Sequence, residues 1–524
     1  MKRLISTVVI CVTAFALSSC GGGDPYVVRI DSGLVKGHDE NGTMAFKGIP
    51  YARVERFMAP QPVEPWDTVM VCKNWGPQVM QRTWKELPES EMSEKNSCVL
   101  NVWTTDRKAR KPVMLWIHGG GFDSGSAAGS PGYELAKNDV VVVSLNHRLN
   151  ILGFLDLSPF GDKYKYSANA GMLDIVMALQ WIQNNIRMFG GDPDNVTIFG
   201  ESGGGGKVGT LMCMPSAEGL FHKAIIMSGT ILNVNDKAMT ESLGAAVLQE
   251  LGISPENVDE IVQVPYRELY EAGQRAMAKS IGTRSPGTPM MWGFGPVPDG
   301  EVLLQQPFQD DLADISSDIP LMIGTTFNEL QRSIYNTEGD LSFEEAKPML
   351  EPVFGDLTDE LISEFKKTYP EWTAKDLVSM DRMFRPKTII TADAICSKRA
   401  ADTYMYMFDC KSPVSGAAVH GNELAFCFNT LDLVPDQVPE PTADDMNLAG
   451  LMSESWSNFA KYGNPNVDGQ PYWQPYSAEN GEVFVFDYEC SVKNNFDRRL
   501  QEIVNACCFR QLDEFKASKE NTDK

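Results

Sequence analysis

Six short, almost wholly apolar runs place the strongest constraint on how this chain can fold. They lie at residues 113–117, 140–145, 196–199, 224–227, 320–324 and 404–408. Runs of this length are typical of strands buried on both faces, as in a parallel sheet covered by helices. Between the second and third runs, apolar residues recur at helical spacing from Asp174 to Phe189, and the turn at 190–193 predicts the end of that helix. This alternation indicates an α/β fold.

The remaining sequence favours one large domain. Residues 235–385 carry charged helical patterns around the run at 320–324, which predicts helices inserted over the sheet, where they would cap a site. No internal repeat or low-complexity linker divides the chain. We therefore expect a single domain over residues 26–516, with the helical insertion within it, and a polar, frayed tail at 517–524.

The first residues resemble a bacterial lipoprotein signal peptide. Two basic residues precede an apolar stretch, Leu4 to Leu17, that is shorter than a typical membrane-spanning helix. The following Leu17-Ser18-Ser19-Cys20 and its glycine-rich continuation predict a signal peptide at 1–19, lipidation of Cys20 and a tether at 20–25. The alternative is a plain secretory signal with an unrelated cysteine. Gly21 stands where Asp would resemble an inner-membrane retention signal, so we expect attachment to the periplasmic or surface face of the outer membrane.

The charge balance argues against nucleic acid as a partner. Lys and Arg total 46 against 70 Asp and Glu, a net charge of -24, and no long basic run offsets it. Binding to phosphates requires clustered basic side chains. Binding to anionic lipid headgroups is disfavoured for the same reason. We therefore expect the lipid anchor to be the sole membrane attachment. The sequence assigns neither the disulfide pairing nor the oligomeric state.

Ser202 is the candidate nucleophile. It lies in Gly200-Glu201-Ser202-Gly203-Gly204, directly after the apolar run at 196–199 and before a predicted helix. A G-x-S-x-G motif in this context forms a sharp turn that presents the serine hydroxyl outward and needs small flanking residues. The motif alone is weak, because glycine-rich loops also contain it. Its position between a strand and a helix favours the catalytic interpretation.

A glycine loop, residues 118–122 (His118-Gly119-Gly120-Gly121-Phe122), follows the first apolar run. Glycines let backbone N–H groups approach a substrate oxygen closely, so such a loop is typical of the second half of an oxyanion hole. A flexible turn is the alternative. Finding both motifs in one chain, in this order, is far less probable by chance than finding either alone.

His420 is identified by elimination, since this arrangement has the order nucleophile, acid, histidine. The chain has five histidines, and His38, His118 and His147 all precede Ser202. His222 follows it closely at the edge of a strand, where a packing role is expected. His420 remains as the candidate base.

The acid must lie between Ser202 and His420. Glu329 comes shortly after the run at 320–324, in a position to orient the imidazole and stabilise its cation. Asp299 and Asp393 are the competitors.

These motifs are joined by others, and together they resemble the type-B carboxylesterase family, which includes cholinesterases and bacterial para-nitrobenzyl esterases. The resemblance extends over nearly the whole chain, through residues 46–52, 100–103, 146–155, 189–193 and 456–466. It implies an α/β-hydrolase fold with a mostly parallel sheet and helical insertions over the active site. It implies Ser202, Glu329 and His420 as the triad, and the N–H groups of Gly120, Gly121 and Gly203 as oxyanion donors. It also implies that Ser228 supports the triad acid, with a strand-end turn as the alternative.

The chain departs from the family pattern at four positions. Gly203 stands where Ala is usual, and Asn328 and Leu330 replace the usual Asp and Gly beside the acid. Val79 replaces one cysteine of the family's usual disulfide, so a bridge between Cys72 and Cys98 is possible but is not implied by the resemblance.

The expected function is that of a serine carboxylesterase that hydrolyses esters through an acyl-enzyme, without a metal or organic cofactor. Trp292 and Phe294 resemble the segment beside the acyl pocket, and Phe122 adjoins the glycine loop. These aromatics either narrow the pocket to short acyl groups or belong to the core. Glu201 either adds negative potential at the site or is a buried, hydrogen-bonded carboxylate. A catalytically inactive adhesion relative, a long-chain lipase, a thioesterase and an amidase are the alternatives.

Overall fold

The computed structural model describes residues 24–81, 89–281, 293–308, 314–330, 339–398 and 400–507. The predicted signal peptide (1–19), Cys20, the tether up to residue 23, Trp292 and the tail at 517–524 lie outside these ranges. Within them, no helix is both long enough and apolar enough to cross a bilayer.

The described residues form 14 strands and 12 α-helices. The strands are β1 (Val27–Ile30), β2 (Gly33–Lys36), β3 (His38–Glu40), β4 (Thr43–Pro50), β5 (Val69–Val71), β6 (Val99–Thr104), β7 (Lys111–Ile117), β8 (Val141–Leu145), β9 (Gly191–Glu201), β10 (Lys223–Met227), β11 (Leu321–Thr326), β12 (Thr403–Phe408), β13 (Glu482–Phe486) and β14 (Ser491–Asn494). The α-helices are α1 (Tyr133–Ala136), α2 (Asn150–Phe154), α3 (Ala170–Asn185), α4 (Gly203–Leu211), α5 (Lys237–Glu250), α6 (Tyr266–Ile281), α7 (Phe343–Phe354), α8 (Thr358–Thr368), α9 (Ala374–Val378), α10 (Arg385–Lys398), α11 (Glu423–Cys427) and α12 (Ala443–Tyr462).

An 11-stranded sheet, in the order β14-β13-β12-β11-β10-β9-β7-β8-β6-β4-β3, organises the described molecule. The strands from β13 to β8 in this order are all parallel, and antiparallel pairs occur only toward the two edges. A separate 3-stranded sheet has the order β1-β2-β5. The predicted α/β fold with a mostly parallel sheet is confirmed.

The sheet is buried on both faces, which is the physical reason that its strands are apolar throughout. On one face, Leu115 of β7 and Ile198 of β9 belong to a core cluster that includes Leu179 of α3. On the other face, Phe199 of β9 belongs to a second cluster with Trp456 of α12. The alternation of neighbouring strand residues between two cores explains why helices cover both sides.

The end of the first long helix differs from the prediction. α3 ends at Asn185, a 3-10 turn continues over Ile186–Phe189, and Gly190 terminates it in the left-handed conformation, with φ of 81°. We expected the turn to extend to residue 193, but β9 already begins at Gly191. One glycine is sufficient for the reversal because glycine adopts positive φ without steric cost.

Helices are the main regular secondary structure in the described part of residues 235–385. They are α5, α6, α7, α8 and α9, and α10 begins at its end. The helical pattern predicted over 343–369 forms two helices, α7 and α8. A 3-10 turn at Gly355–Leu357 separates them, and Gly355 has φ of 51°.

Cys72 and Cys98 do not form the bridge that the sequence allowed. Both are buried free thiols. Cys72 Sγ lies 3.8 Å from the Met70 carbonyl oxygen, whereas Cys98 interacts with the side chains of Tyr51 and Asp174. The two thiols therefore have separate polar environments.

Candidate active site

Three neighbouring parallel strands are each followed by a non-glycine residue with a positive φ angle. Ser202 directly follows β9, Ser228 directly follows β10, and Glu329 follows β11 by three residues; their φ angles are 57°, 43° and 46°. Positive φ is uncommon for residues other than glycine and concentrates at functional sites. The carboxyl edge of the sheet thus places these three side chains on adjacent turns.

In this chain, the glycines around the turn at Ser202 have no space for a side chain. A Cβ at Gly200 would lie 2.5 Å from the Gly204 carbonyl carbon, and one at Gly204 would lie 2.1 Å from the Ile117 oxygen. A Cβ at Gly203 would lie 2.2 Å from the oxygen of Gly121. The last contact gives a local reason for glycine where the family usually has alanine, since the glycine loop passes directly against this position.

The glycine loop lies beside the nucleophile. A Cβ at Gly119 would lie 2.8 Å from the Glu201 oxygen and 3.2 Å from Cβ of Ser202. Gly120 and Gly121 both have positive φ, 85° and 63°. Gly120 is exposed and Gly121 partly exposed, and neither N–H donates to another described residue. Gly203 opens α4, so its N–H is also outside the helical hydrogen bonds.

His420 is held by the predicted acid. Its Nδ1 forms a short hydrogen bond with Glu329 Oε2, and its ring stacks on Phe384 with centroids 5.2 Å apart. The other oxygen of Glu329 accepts a hydrogen bond from the N–H of Thr326 at 2.8 Å. Glu329 is fully buried, whereas Ser202 and His420 are partly exposed. The buried Glu329 therefore orients the imidazole through Nδ1, while the ring as a whole remains partly accessible to solvent.

Asn328 joins the segments that carry Glu329 and His420. Its Oδ1 accepts from the N–H of Ala418 at 2.8 Å, and its own N–H donates to the Ala418 oxygen at 2.9 Å. The N–H of His420 donates to the Glu329 oxygen at 3.0 Å. The replacement of the family's usual Asp by Asn328 therefore leaves the acid and the base directly linked.

Glu201 lies on the other side of the His420 ring. Its Oε1 is 3.1 Å from His420 Nε2, without the alignment of a hydrogen bond. Burial raises the pKa of Glu201. Burial of His420 opposes its charged form, but the carboxylates of Glu201 and Glu329 outweigh that effect and raise the pKa of the imidazole.

The Ser228 hydroxyl has a different described partner from the one expected for it. Its hydroxyl donates to Glu423 Oε1 at 3.4 Å, and the described hydrogen bonds of Glu329 are made with Thr326 and His420 instead. The expected support of the acid by Ser228 is therefore replaced by a contact with a second acid. The reason is that α11 begins at Glu423, close behind His420, and delivers this carboxyl group to the end of β10.

Glu423 is the site residue that the sequence analysis missed. It is fully buried, and burial followed by the charges of Glu201 and Glu329 raises its pKa well above the usual range. A neutral acid is therefore expected here. The available signal was an acidic residue three positions after the candidate histidine.

The rejected candidates have other partners. Asp299 accepts hydrogen bonds from the backbone of residues 301–303, and Asp393 pairs with Arg498. His222 Nδ1 accepts from the N–H of Val196 at 3.1 Å. Glu329 and His420 are thus the acid and imidazole that the structure brings together near Ser202.

The two described aromatic candidates are packed in the interior. Phe122 is 7% exposed and makes an edge-to-face contact with Phe154 at 5.4 Å. Phe294 is 6% exposed and belongs to the same core cluster. A Cβ at Gly295 would lie 3.8 Å from the Phe122 ring, so the segment after Trp292 does approach the glycine loop. Trp292 itself lies outside the described residues.

Comparison with known proteins explains this arrangement. The carboxylesterase family model matches residues 24–503. The chain belongs to the carboxylesterase family. It is 34% identical over 490 residues to the para-nitrobenzyl esterase of Bacillus subtilis, with 90% of this chain and 96% of that protein covered.

Solved carboxylesterase structures agree with this assignment. An esterase from the anaerobe Clostridium hathewayi, described as hydrolysing aliphatic aromatic polyesters, superimposes with a TM-score of 0.80 at 35% identity, covering 92% of this chain and 98% of that one. A Geobacillus stearothermophilus carboxylesterase superimposes with a TM-score of 0.74 at 34% identity, covering 91% and 99%. The resemblance seen in the sequence is confirmed, and this carboxylesterase is a carboxylic-ester hydrolase with the α/β-hydrolase fold.

Proposed function

We propose that this carboxylesterase uses Ser202 as nucleophile, His420 as base and Glu329 as the acid that orients the base. The observation that supports the assignment is the short Nδ1 hydrogen bond from His420 to buried Glu329, while Nε2 faces the turn at Glu201 that presents Ser202. Nδ1 is committed as a donor, so Nε2 is the nitrogen that accepts the serine proton.

In the proposed reaction, Ser202 Oγ attacks the ester carbonyl carbon as Nε2 of His420 takes its proton. The negative oxygen accepts hydrogen bonds from the N–H groups of Gly120, Gly121 and Gly203, each contributing about 3 kcal/mol. His420 returns the proton to the departing alcohol, leaving an acyl-Ser202 ester. Water, activated by the same imidazole, then releases the acid.

For the substrate, we propose short-acyl, aryl or alkyl esters. The support is that Phe122 belongs to the glycine loop and that the segment containing Phe294 approaches its ring at Gly295, so aromatic side chains lie close to the loop. The polyester esterase of Clostridium hathewayi makes aromatic esters a second series worth testing. Long acyl chains are expected to be poor substrates.

The test is hydrolysis of p-nitrophenyl esters from acetyl to dodecanoyl by the purified protein and by Ser202→Ala. We expect activity that is highest at short chains and at least about 10³-fold lower in the variant. Ser397→Ala is the matched control, because this exposed hydroxyl donates to the Ala394 oxygen on α10. Equal activity in Ser202→Ala would overturn the nucleophile assignment, and a maximum at dodecanoyl would overturn the substrate class.

We also propose that the protein is an outer-membrane lipoprotein, lipidated at Cys20 after removal of residues 1–19. The support is the basic start, the apolar stretch and the Leu17-Ser18-Ser19-Cys20 sequence. In bacteria fed an alkynyl fatty acid, the full chain should be labelled and recovered with outer membranes. Cys20→Ala should remain unlabelled; labelling of that variant would contradict the proposal.

A further inference from the structure

Lys207 is a fully buried lysine on the nucleophile helix. It lies on the second turn of α4, whose sequence is otherwise uncharged, and its relative exposure is 0%. Its ammonium donates to the His118 oxygen at 3.0 Å and lies 5.5 Å from the centre of the Phe122 ring. One side chain therefore contacts both ends of the glycine loop.

Among the described residues, no carboxylate forms an ion pair with Lys207. Burial lowers the pKa of Lys207 to about 7. An ammonium buried against only a carbonyl and an aromatic face is costly, and an apolar side chain would fill the same space without that cost. The free-energy cost of burying this ammonium without a countercharge indicates that Lys207 has a role beyond packing.

The titratable groups that face Lys207 are two imidazoles. His118 and His147 stack with centroids 5.0 Å apart, and each Nδ1 bonds a backbone oxygen, that of Gly119 at 2.9 Å and that of Arg148 at 2.8 Å. Burial and the charge of Lys207 lower both imidazole pKa values. Both rings are therefore neutral, and below about pH 7 Lys207 is the group that carries positive charge behind the glycine loop.

We propose that Lys207 is a positioning residue for the oxyanion hole. It ties the loop that carries Gly120 and Gly121 to the helix that carries Gly203, and its charge favours the negative oxygen that forms in front of the loop. It does not touch the substrate and acts through the His118 peptide. This inference rests on the proposed function of the three glycines.

The experiment compares wild type with Lys207→Met, which removes charge and donor, and Lys207→Gln, which keeps a donor. Lys223→Met is the matched control. Lys223, the first residue of β10, is partly buried, has a pKa lowered by burial to about 8, and donates to Asn195 of β9. Active sites are counted by titration with a fluorophosphonate. The readouts are kcat and KM for p-nitrophenyl acetate from pH 5 to pH 9, and Ki for benzyl trifluoromethyl ketone, which forms a tetrahedral adduct.

We expect Lys207→Met to lower kcat per titrated site about 100-fold with KM nearly unchanged, and to raise Ki by a similar factor. Lys207→Gln should lie between this variant and the wild type. The ratio of wild-type to Lys207→Met kcat should fall as the pH rises through about 7, because the lysine then loses its charge. The contribution of His420 cancels in this ratio.

A kcat of Lys207→Met within twofold of wild type, or an equal loss in Lys223→Met, would overturn the inference. Failure of both Lys207 variants to fold would also overturn it, since Lys207 would then be required for folding instead. A wild type that neither hydrolyses esters nor reacts with the fluorophosphonate would overturn the proposed function and this inference together. An active wild type with an unaffected Lys207→Met would overturn the inference alone.

Discussion

At the scale of single residues, the environment of His420 governs how the site responds to pH. A carboxylate lies at each ring nitrogen, Glu329 at Nδ1 and Glu201 3.1 Å from Nε2. Together they outweigh burial and raise the pKa of the imidazole. The base is active only when it is neutral, so activity should rise with pH through the raised pKa.

Glu201→Gln should move the acid limb of kcat/KM to lower pH. Removing a negative charge beside Nε2 destabilises the imidazolium, so the neutral base persists to lower pH. The measurement is the pH profile of p-nitrophenyl acetate hydrolysis, with Glu218→Gln, an exposed glutamate, as the control. A limb that stays in place or moves to higher pH would contradict the electrostatic role of Glu201.

At the scale of elements, the ends of β11 and β12 act as one unit. The segments that follow them share a parallel bridge between Glu329 and Val419. Asn328 adds two hydrogen bonds with Ala418, because its N–H donates to the Ala418 oxygen and its side-chain oxygen accepts from the Ala418 N–H. The acid and the base are separated by 91 residues in the sequence. Their geometry therefore depends on this pairing of loops.

Asn328→Ala should lower kcat about tenfold and the free energy of unfolding by about 1–3 kcal/mol, because the buried N–H of Ala418 loses its side-chain acceptor. Asn138→Ala is the control, since it also removes a partly buried amide bond, to Ser453 at 2.9 Å. It should cost stability without changing kcat per titrated site. Equal kcat in the two variants would show that the loop pairing does not need Asn328.

At the scale of the whole molecule, one buried ion pair connects three distant segments. The Arg148 guanidinium is 2% exposed and forms two hydrogen bonds with Asp174 of α3, at 2.8 Å and 2.6 Å. It also donates to the oxygens of Glu55 and Met58 at 3.0 Å and 2.7 Å. The N-terminal part of the described chain is thereby joined to the sheet and to α3.

Asp174→Asn should lower the free energy of unfolding by about 3–5 kcal/mol, because Arg148 is left buried without a countercharge. Asp194→Asn is the control: its partners Arg110 and Arg187 are exposed, so its loss should cost no more than about 1 kcal/mol. Urea unfolding followed by tryptophan fluorescence measures both. Equal midpoints for Asp174→Asn and wild type would contradict a structural role for the pair.

The sequence by itself determined the features that depend on neighbouring residues. Apolar runs predict buried strands because the hydropathy of a few neighbouring residues is enough to reveal them. The G-x-S-x-G motif between a strand and a helix likewise predicts the sharp turn at Ser202. His420 followed from the order of the motifs. The α/β fold and the family resemblance were therefore predictable.

The tertiary structure decided which buried polar groups meet. Ser228 contacts Glu423 across 195 residues of sequence, and Lys207 reaches the His118 oxygen across 89. No local sequence pattern predicts these long-range contacts, because they depend on the order of the strands and on where each loop turns. Charges that interact weakly in water interact strongly when the fold buries them together. This burial shifts their pKa values and so sets the protonation of the site.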